Sequence, residues 1–306
     1  MDWTTELDKW IADYLPDLKT AKDEPMSRHT SFRVGGPARR MAFPQSREQL
    51  VLLLSFAREC GARPLVIGNG TNLLAPDEGL DRLVIDTSEG LNRVEDGAEP
   101  DTILAEAGVS LARLAEHACR RGLTGLEFAH GIPGTVGGGV CMNAGAYDGE
   151  MKQVVQGVSV LFPEEGIRFL SAEEMDFGYR HSLLSDHPDA VALYAVFRLR
   201  PGDPEAIRQR MRELMARRRA SQPLEWPSAG STFKRPVGYF AGTLIDQCGL
   251  KGLMVGGAQV SEKHAGFIIN TGGATCADVT ALIAQVRERV FARTGVRLEP
   301  EVKLVR

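Results

Sequence analysis

The chain has 306 residues, of which 43% are apolar and 25% charged, and it carries a formal net charge of −4 at pH 7. This length predicts about two domains, and the composition is typical of a globular protein with a sizeable core. The excess of acidic side chains argues against nucleic acid or an anionic membrane as a partner.

The start of the chain and its cysteines indicate the cellular compartment of the protein. No apolar signal region opens the sequence and no apolar run reaches the length of a membrane span, so we expect a cytoplasmic protein. The cysteines and histidines show no paired or metal-ligand spacing, which predicts reduced thiols and no bound metal. The cysteines are Cys60, Cys119, Cys141, Cys248 and Cys276.

The first part of the chain predicts a helix and then a β-α-β unit. Apolar residues recur at helical spacing over residues 2–15. A strand is predicted at 41–43, a helix capped by Ser46 extends to residue 60, and a short strand follows at 65–67.

A glycine-rich turn, Gly68-Asn69-Gly70-Thr71-Asn72, directly follows that strand. Free backbone N–H groups in such a turn form a concave anion site, and short Thr and Asn side chains can reach a pyrophosphate. The segment has no Gly-Lys-Ser/Thr and precedes no helical pattern, which excludes a Walker loop and a dinucleotide fingerprint. A plain turn is the alternative interpretation.

A second glycine-rich segment runs from Gly131 to Tyr147, after predicted strands at 83–86, 91–94 and 102–107 and a predicted helix at 110–122. Five glycines in nine residues predict neither helix nor strand, so its backbone amides would bind the ligand. Two separate amide sites suit a diphosphate-linked cofactor with a long planar end. A flexible surface loop is the alternative, which the apolar flanking residues disfavour.

The chain from 154 to 199 is rich in predicted strands, with a hairpin over 154–170 and a buried strand at 190–199. Strands with inserted helices indicate an α+β fold and not a doubly wound parallel sheet. Arg180 lies in the loop between these strands, where its guanidinium group suits a carboxylate or phosphate. A surface ion pair is the alternative role for Arg180.

The segment Pro201-Gly202-Asp203-Pro204 indicates a domain boundary, which predicts domains over 1–202 and 203–306. Helices are predicted at 204–220, 239–248 and 275–294, and a closing strand at 296–305.

Two polar groups in this second half carry candidate chemistry. Ser231 is a hydroxyl beside Lys234 and Arg235, which suits a proton donor next to a phosphate-binding pair of cations. Glu299 and Glu301 share one face of the closing strand, so both face either a site or solvent.

Taken together, eight segments resemble the UDP-N-acetylenolpyruvoylglucosamine reductase family, flavoproteins of peptidoglycan precursor synthesis. They are HTSFRVGGPA (29–38), VIGNGTNLL (66–74), GIPGTVGGGVCMNAGAYDGE (131–150), GYRHS (178–182), SAGSTFKRP (228–236), AGTLIDQCGLKG (241–252), AQVSEKHAGFIIN (258–270) and LEPEV (298–302). The resemblance implies an FAD-binding fold of the vanillyl-alcohol-oxidase type over 1–202, in subdomains of about 1–75 and 76–202. A smaller α+β substrate-binding domain would follow over 203–306.

The resemblance also implies that FAD and NADPH serve the reduction of a UDP-sugar, UDP-N-acetylenolpyruvoylglucosamine, to UDP-N-acetylmuramate. It makes Arg180 and Glu301 the residues that stabilise developing charge, Ser231 the proton donor, and Lys234 and Arg235 the substrate-binding cations. The residues that it places around FAD are Gly68, Asn69, Gly70, Thr71, Asn72, Gly131, Ile132, Pro133, Gly134, Thr135, Gly137, Gly138, Ala144, Gly145 and Ala146. Glu301 is preferred to Glu299 because it directly precedes the valine that begins the closing apolar run, as in the family pattern.

Some residues depart from the family pattern. Lys234-Arg235-Pro236 stands where the family often has Lys-Asn-Pro, which leaves open the side chain that contacts the substrate diphosphate. The interval from Arg180 to Ser231 is too short for the tyrosine-bearing segment that closes over substrate in one branch, so we expect the shorter branch. A flavin-dependent oxidase of the same fold and a flavin- or nucleotide-binding module without catalysis are the alternatives.

Overall fold

The computed structural model describes residues 2–305, which form two compact units. The first unit contains the chain up to Ala21, Arg40–Asn69 and Arg82–Arg217. The second contains Lys22–Arg39, Gly70–Asp81 and the chain from Arg218. Neither unit is a continuous segment, and the predicted division at 202/203 into family domains stays a prediction.

The described residues 2–305 contain eight α-helices, together with single-turn 3₁₀ helices. The α-helices are α1 (Trp3–Tyr14), α2 (Arg47–Glu59), α3 (Leu111–Arg120), α4 (Val136–Cys141), α5 (Leu183–Asp186), α6 (Pro204–Ser221), α7 (Ala241–Gln247) and α8 (Cys276–Thr294). The strands are β1 (Lys19–Pro25), β2 (Pro37–Phe43), β3 (Leu65–Ile67), β4 (Leu73–Leu74), β5 (Leu80–Asp86), β6 (Val94–Asp96), β7 (Thr102–Glu106), β8 (Leu123–Thr124), β9 (Gly145–Ala146), β10 (Gly149–Glu150), β11 (Val155–Phe162), β12 (Gly166–Ser171), β13 (Val191–Arg198), β14 (Arg200–Pro201), β15 (Ser228–Ser231), β16 (Met254–Val255), β17 (Ala258–Val260), β18 (Phe267–Asn270) and β19 (Lys303–Leu304).

One sheet has the strand order β1-β2-β5-β3, in which β3 runs parallel to β5. Helices α1 and α2 contribute apolar side chains to a shared core, with Leu7 and Leu50 fully buried beside Ile85 of β5. The rings of Trp10 and Phe56 stack with their centroids 4.6 Å apart. Amphipathic spacing therefore places both helices as predicted.

A five-stranded antiparallel sheet with the order β12-β11-β13-β7-β6 lies in the first unit. Helices α3 and α4 share a core with this sheet, in which Val158, Ala195 and Phe197 are fully buried. The predicted hairpin around residues 164–166 is confirmed by the antiparallel pairing of β11 with β12, and the α+β class is confirmed as well.

The second unit has a four-stranded sheet with the order β15-β18-β17-β16, whose core includes the apolar faces of α7 and α8. Phe32, Val34 and Leu74 come from distant parts of the chain and are buried in the same core. The chain end pairs in parallel with β4, since Lys303 lies opposite Leu73. The motif segment 29–38 and residues 70–74 of the segment 66–74 therefore help to build this unit.

Three sequence predictions of secondary structure were wrong. Residues 136–141 form α4 despite three glycines, because Gly137 and Gly139 let the helix approach Ala107 and Leu111, where a Cβ would lie within 3.0 and 3.3 Å. The closing strand is confined to β19 with one bridge at Pro300. Strand β1 was missed because its sequence, KTAKDEP, is polar and lies at a sheet edge.

From residue 2 to 305, no helix combines the length and the apolar character needed to cross a membrane.

Candidate functional site

In the first unit, the two glycine-rich segments lie against each other. The Asn69 side chain donates a hydrogen bond from Nδ2 to Pro133 O at 2.7 Å. The Gly68 backbone faces Thr135 so closely that a Cβ at position 68 would overlap Thr135 Oγ1. Gly68 therefore cannot be replaced without displacing the second segment, and the two predicted cofactor-binding elements form one surface.

The backbone of the second segment is fixed at one end and leaves donors free at the other. The amides of Val136 and Gly137 donate to Val109 O and Ala107 O, each at 2.8 Å, at the end of β7. Within residues 2–305, the amides of Gly131, Gly134, Thr135, Gly68 and Asn69 have no protein acceptor. Unpaired amides on glycine-rich backbone are the donors that a pyrophosphate requires, so these residues fit a phosphorylated cofactor.

Arg180 sits on a tight turn of the first unit. Gly178 and His181 exchange two backbone hydrogen bonds, of 3.1 and 3.3 Å, and Arg180 between them has a φ of +55°. An arginine in this left-handed region is strained, and such strain is retained where the surrounding structure fixes the residue. Arg180 Nη2 donates to Gly145 O at 3.3 Å, and its Cζ lies 5.2 Å from the Tyr179 ring centroid.

Asn143 and Ser182 anchor this turn to the second glycine-rich segment. The Asn143 side chain, 1% exposed, donates to Gly178 O at 2.9 Å and accepts from the Lys152 amide at 3.0 Å. Fully buried Ser182 donates from Oγ to Cys141 O at 2.9 Å. The turn that carries Arg180 and the predicted FAD segment are therefore one rigid arrangement within the first unit. The sequence prediction missed both anchors.

His181 directly follows Arg180 and is a titratable residue with a shifted pKa. Its Nε2 lies 3.1 Å from Asp186 Oδ2, and its Nδ1 lies 3.3 Å from the backbone oxygen of Asp176. The hydrogen bond to Asp186 raises the pKa of His181 above its ordinary value, and the Asp176 carbonyl acts in the same direction. An ionised carboxylate and a carbonyl both only accept, so both contacts form together only with the imidazolium ion.

In the second unit, the remainder of the first glycine-rich segment contacts Glu301. Gly70 has a φ of +57° and lies against His29 O, where a Cβ would overlap the oxygen. Asn72 Nδ2 donates to Glu301 O at 3.1 Å, and the Glu301 amide donates to Thr232 O at 2.8 Å. The chain positions at Asn72, Glu301 and Ser231 are thus brought together, as a common site would require.

Ser231 ends strand β15, where it pairs with Phe267 across an irregular ladder and has an exposed side chain. Lys234 Nζ lies 3.4 Å from Glu299 Oε2, and the Glu299 side chain is 72% exposed. The Cζ atom of Arg235 lies 3.9 Å from the Phe240 ring centroid. Glu299 thus forms a surface ion pair, whereas Glu301 is partly buried next to Thr232.

The described residues contain no cluster of three or more histidine, cysteine or acidic side chains that could hold a metal ion.

Comparisons with known proteins agree with this geometry. Residues 38–170 match the FAD binding domain family, and this range contains both glycine-rich segments. The fold and the paired amide surface thus define an FAD-binding protein, and the prediction of FAD as cofactor is confirmed.

Residues 222–305 match the C-terminal domain of UDP-N-acetylenolpyruvoylglucosamine reductase. Proteins with that name from Caldanaerobacter subterraneus and Pediococcus pentosaceus are 48% and 47% identical, over 96% and 98% of both chains. The crystal structure of the Thermus caldophilus reductase covers 94% of this chain and 99% of its own, with 36% identity and a TM-score of 0.79. The chain belongs to the UDP-N-acetylenolpyruvoylglucosamine reductase family, as its sequence motifs predict.

Proposed function

We propose that this chain reduces UDP-N-acetylenolpyruvoylglucosamine to UDP-N-acetylmuramate, with NADPH as reductant, in peptidoglycan precursor synthesis. One observation carries the proposal, which is 48% identity over 96% of both chains to a protein named for this reaction. Bound FAD supplies the two-electron transfer between the nicotinamide and the carbon–carbon double bond of the substrate. The unpaired amides of Gly68, Asn69, Gly131, Gly134 and Thr135 would hold its pyrophosphate.

Reduction of an enol ether at its terminal carbon leaves negative charge on the adjacent carbon and on the attached carboxylate. Arg180 would stabilise this charge, because a guanidinium group offers two parallel N–H donors to a carboxylate. The turn around Arg180 holds that group in place without reorganisation during the reaction. Glu301 would assist in stabilising the charged intermediate.

Ser231 would deliver the proton that completes the reaction. A serine hydroxyl is a weak acid, so this role requires a strongly basic carbon centre next to it. The exposed position of Ser231 at the end of β15 leaves its hydroxyl accessible to a substrate.

Lys234 and Arg235 would bind the substrate diphosphate, for which their charges are suited. Arg235 over the Phe240 ring has the more fixed geometry of the two. Because nucleotide sugars and NADPH are intracellular metabolites, we place the reaction in the cytoplasm.

Turnover under anaerobic conditions tests this function. The purified, FAD-loaded protein should oxidise more than one equivalent of NADPH per FAD only when the enolpyruvyl sugar nucleotide is present, and mass spectrometry should find a product heavier by two hydrogens. NADPH oxidation that requires oxygen and leaves the sugar nucleotide unchanged would contradict the reductase function and favour the oxidase. A variant with Lys234 and Arg235 both changed to Ala should raise the substrate KM and leave the FAD content unchanged.

A further inference from the structure

A short turn from Thr30 to Val34 in the second unit presents an arginine in an unfavourable backbone conformation. Arg33 has a φ of +54°, in the left-handed region that glycine and asparagine tolerate best. The Arg33 amide donates to Thr30 O at 3.0 Å, and Thr30 Oγ1 donates to Val34 O at 2.9 Å. These two bonds fix the backbone on both sides of the strained residue.

Contacts with distant parts of the second unit fix the turn further. Fully buried Phe32 fills the core, and its carbonyl accepts a 3.0 Å hydrogen bond from Asn270 Nδ2. Ser31 Oγ donates to Ser228 O at 2.7 Å, at the start of strand β15, which ends at Ser231. The Ser31 amide donates to Gly70 O at 3.2 Å, in the first glycine-rich segment. The turn thus lies between two segments that the proposed function uses.

The Arg33 side chain, in contrast, has no intramolecular role. It is exposed and makes no ion pair or hydrogen bond with any residue between 2 and 305. Two nearby arginines on ordinary backbone are paired, since Arg28 lies 3.4 Å from Glu24 and Arg39 lies 2.8 Å from Asp81. The strained backbone of Arg33 is not compensated by any contact of its side chain within the folded chain. Such strain is typical of residues that contact a ligand.

We propose that Arg33 binds a phosphate or diphosphate group of a nucleotide ligand. A guanidinium fork matches phosphate oxygens with two parallel hydrogen bonds, and the neighbouring Gly70 and Thr71 amides, which have no protein acceptor in the described chain, add donors to the same surface. The choice among ligands rests on the proposed function, whose FAD, NADPH and UDP-sugar all carry phosphates.

The test uses Arg33→Gly, which removes both the guanidinium group and the strain. Its thermal midpoint should be at or above that of the wild type, because glycine adopts this backbone freely. Its affinity for one phosphate ligand should fall roughly tenfold to a hundredfold, the usual loss for a charge-assisted hydrogen-bond pair. Arg33→Lys, which keeps the charge but not the fork, should lose less affinity.

Arg63→Gly is the matched control, because Arg63 is also an exposed arginine with a positive φ, of +46°. It should tolerate glycine in the same way and keep every affinity. Arg33→Asn is a second variant, since asparagine tolerates the left-handed region and is uncharged.

Three binding measurements identify the phosphate. Flavin fluorescence gives the Kd of FAD with apoprotein, and calorimetry gives the Kd of UDP. The ratio of the KM values for NADPH and NADH reports how much the 2′-phosphate of NADPH contributes to recognition. A loss in one of them for both Arg33→Gly and Arg33→Asn supports the proposal. Unchanged values for all three ligands would overturn it. FAD and UDP binding need no turnover, so a wild-type protein that binds both without reducing the sugar nucleotide would contradict the proposed function and not this site.

Discussion

At the scale of single residues, Arg180 shows how a reactive group is held in place. Its backbone is left-handed, and its turn is anchored by buried Asn143, which donates to Gly178 O, and by buried Ser182, which donates to Cys141 O. A guanidinium group fixed in this way needs little rearrangement to stabilise developing charge. Such preorganisation of donors is the main source of electrostatic catalysis. The strain at Arg180 is therefore consistent with its proposed role.

Arg180→Lys should slow reduction of the sugar nucleotide by roughly a hundredfold to a thousandfold, because an ammonium group cannot form two parallel hydrogen bonds. Reduction of FAD by NADPH should keep its wild-type rate, and stopped-flow spectroscopy separates the two steps. Arg168→Lys, at an exposed arginine paired with Glu165, is the control and should leave both rates unchanged. A loss of less than about threefold for Arg180→Lys would argue against its role.

His181 should make stability depend on pH. Its pKa is raised in the folded protein by Asp186 and by the Asp176 carbonyl, which are the groups that face its ring. The stabilisation is therefore complete below the ordinary histidine pKa of about 6.5 and disappears as the pH rises through the folded-state value. Asp186→Asn should thus lower the free energy of unfolding near pH 6, where His181 is protonated. It should have little effect near pH 9, where the imidazole is neutral.

Urea unfolding at several pH values measures this difference. In a His181→Gln background, Asp186→Asn should have the same effect at every pH. If Asp186→Asn, made in the wild-type protein, also changed the free energy of unfolding by the same amount at every pH, His181 would not be the titrating group.

The sequence indicated the reactive residues better than their supports. Arg180, Ser231 and Glu301 stand in recognisable motifs, and their roles remain predictions. Asn143 and Ser182 bind backbone carbonyls that are distant in sequence, so no local pattern reveals them. Arg33 stands in the 29–38 motif without an assigned role, because its positive φ goes with long-range contacts of its neighbours, Phe32 with Asn270 and Ser31 with Ser228.

At the scale of elements, helices that carry their own capping residues were predictable. Ser46, Ser110 and Thr275 each accept a hydrogen bond from the amide three residues on, at the start of α2, α3 and α8. Helix α4 has no capping side chain and three glycines, so only its packing against the neighbouring strand and helix explains it. Local capping chemistry therefore predicted helices α2, α3 and α8, whereas helix α4 of the second glycine-rich segment depends on tertiary packing.

Asp77 adds a cap that the sequence did not reveal. Its two carboxylate oxygens accept hydrogen bonds from the Cys276 and Ala277 amides, at 2.7 and 3.0 Å, in the first turn of α8. Asp77→Ala should lower the free energy of unfolding by about 1 to 2 kcal/mol, as for other lost caps.

Urea unfolding measures that change, and Glu78→Ala at the adjacent exposed residue is the control, which should be nearly neutral. An Asp77→Ala protein as stable as the Glu78→Ala protein would show that the cap contributes nothing beyond the Thr275 capping box.

At the scale of the whole molecule, each unit has its own apolar core, but donors in both are left without protein partners. A cofactor that binds only the folded chain stabilises it by mass action, by about 2.7 kcal/mol at a hundred times its Kd. Removal of FAD should therefore lower the thermal midpoint by several degrees, measured by circular dichroism with and without added FAD. An unchanged midpoint would mean that the free amides are not the FAD site.

The most direct test of the proposed reaction is an anaerobic titration followed by visible absorbance, with the wild type and Ser231→Ala side by side. NADPH should bleach the yellow FAD-loaded protein, and the enolpyruvyl sugar nucleotide should then restore the colour. Ser231→Ala should bleach at the wild-type rate and recover its colour at least about a hundredfold more slowly, because only proton delivery is lost. A wild-type protein that NADPH does not bleach, or whose colour only oxygen restores, would contradict the reductase function, and equal slowing of both steps would contradict the role of Ser231.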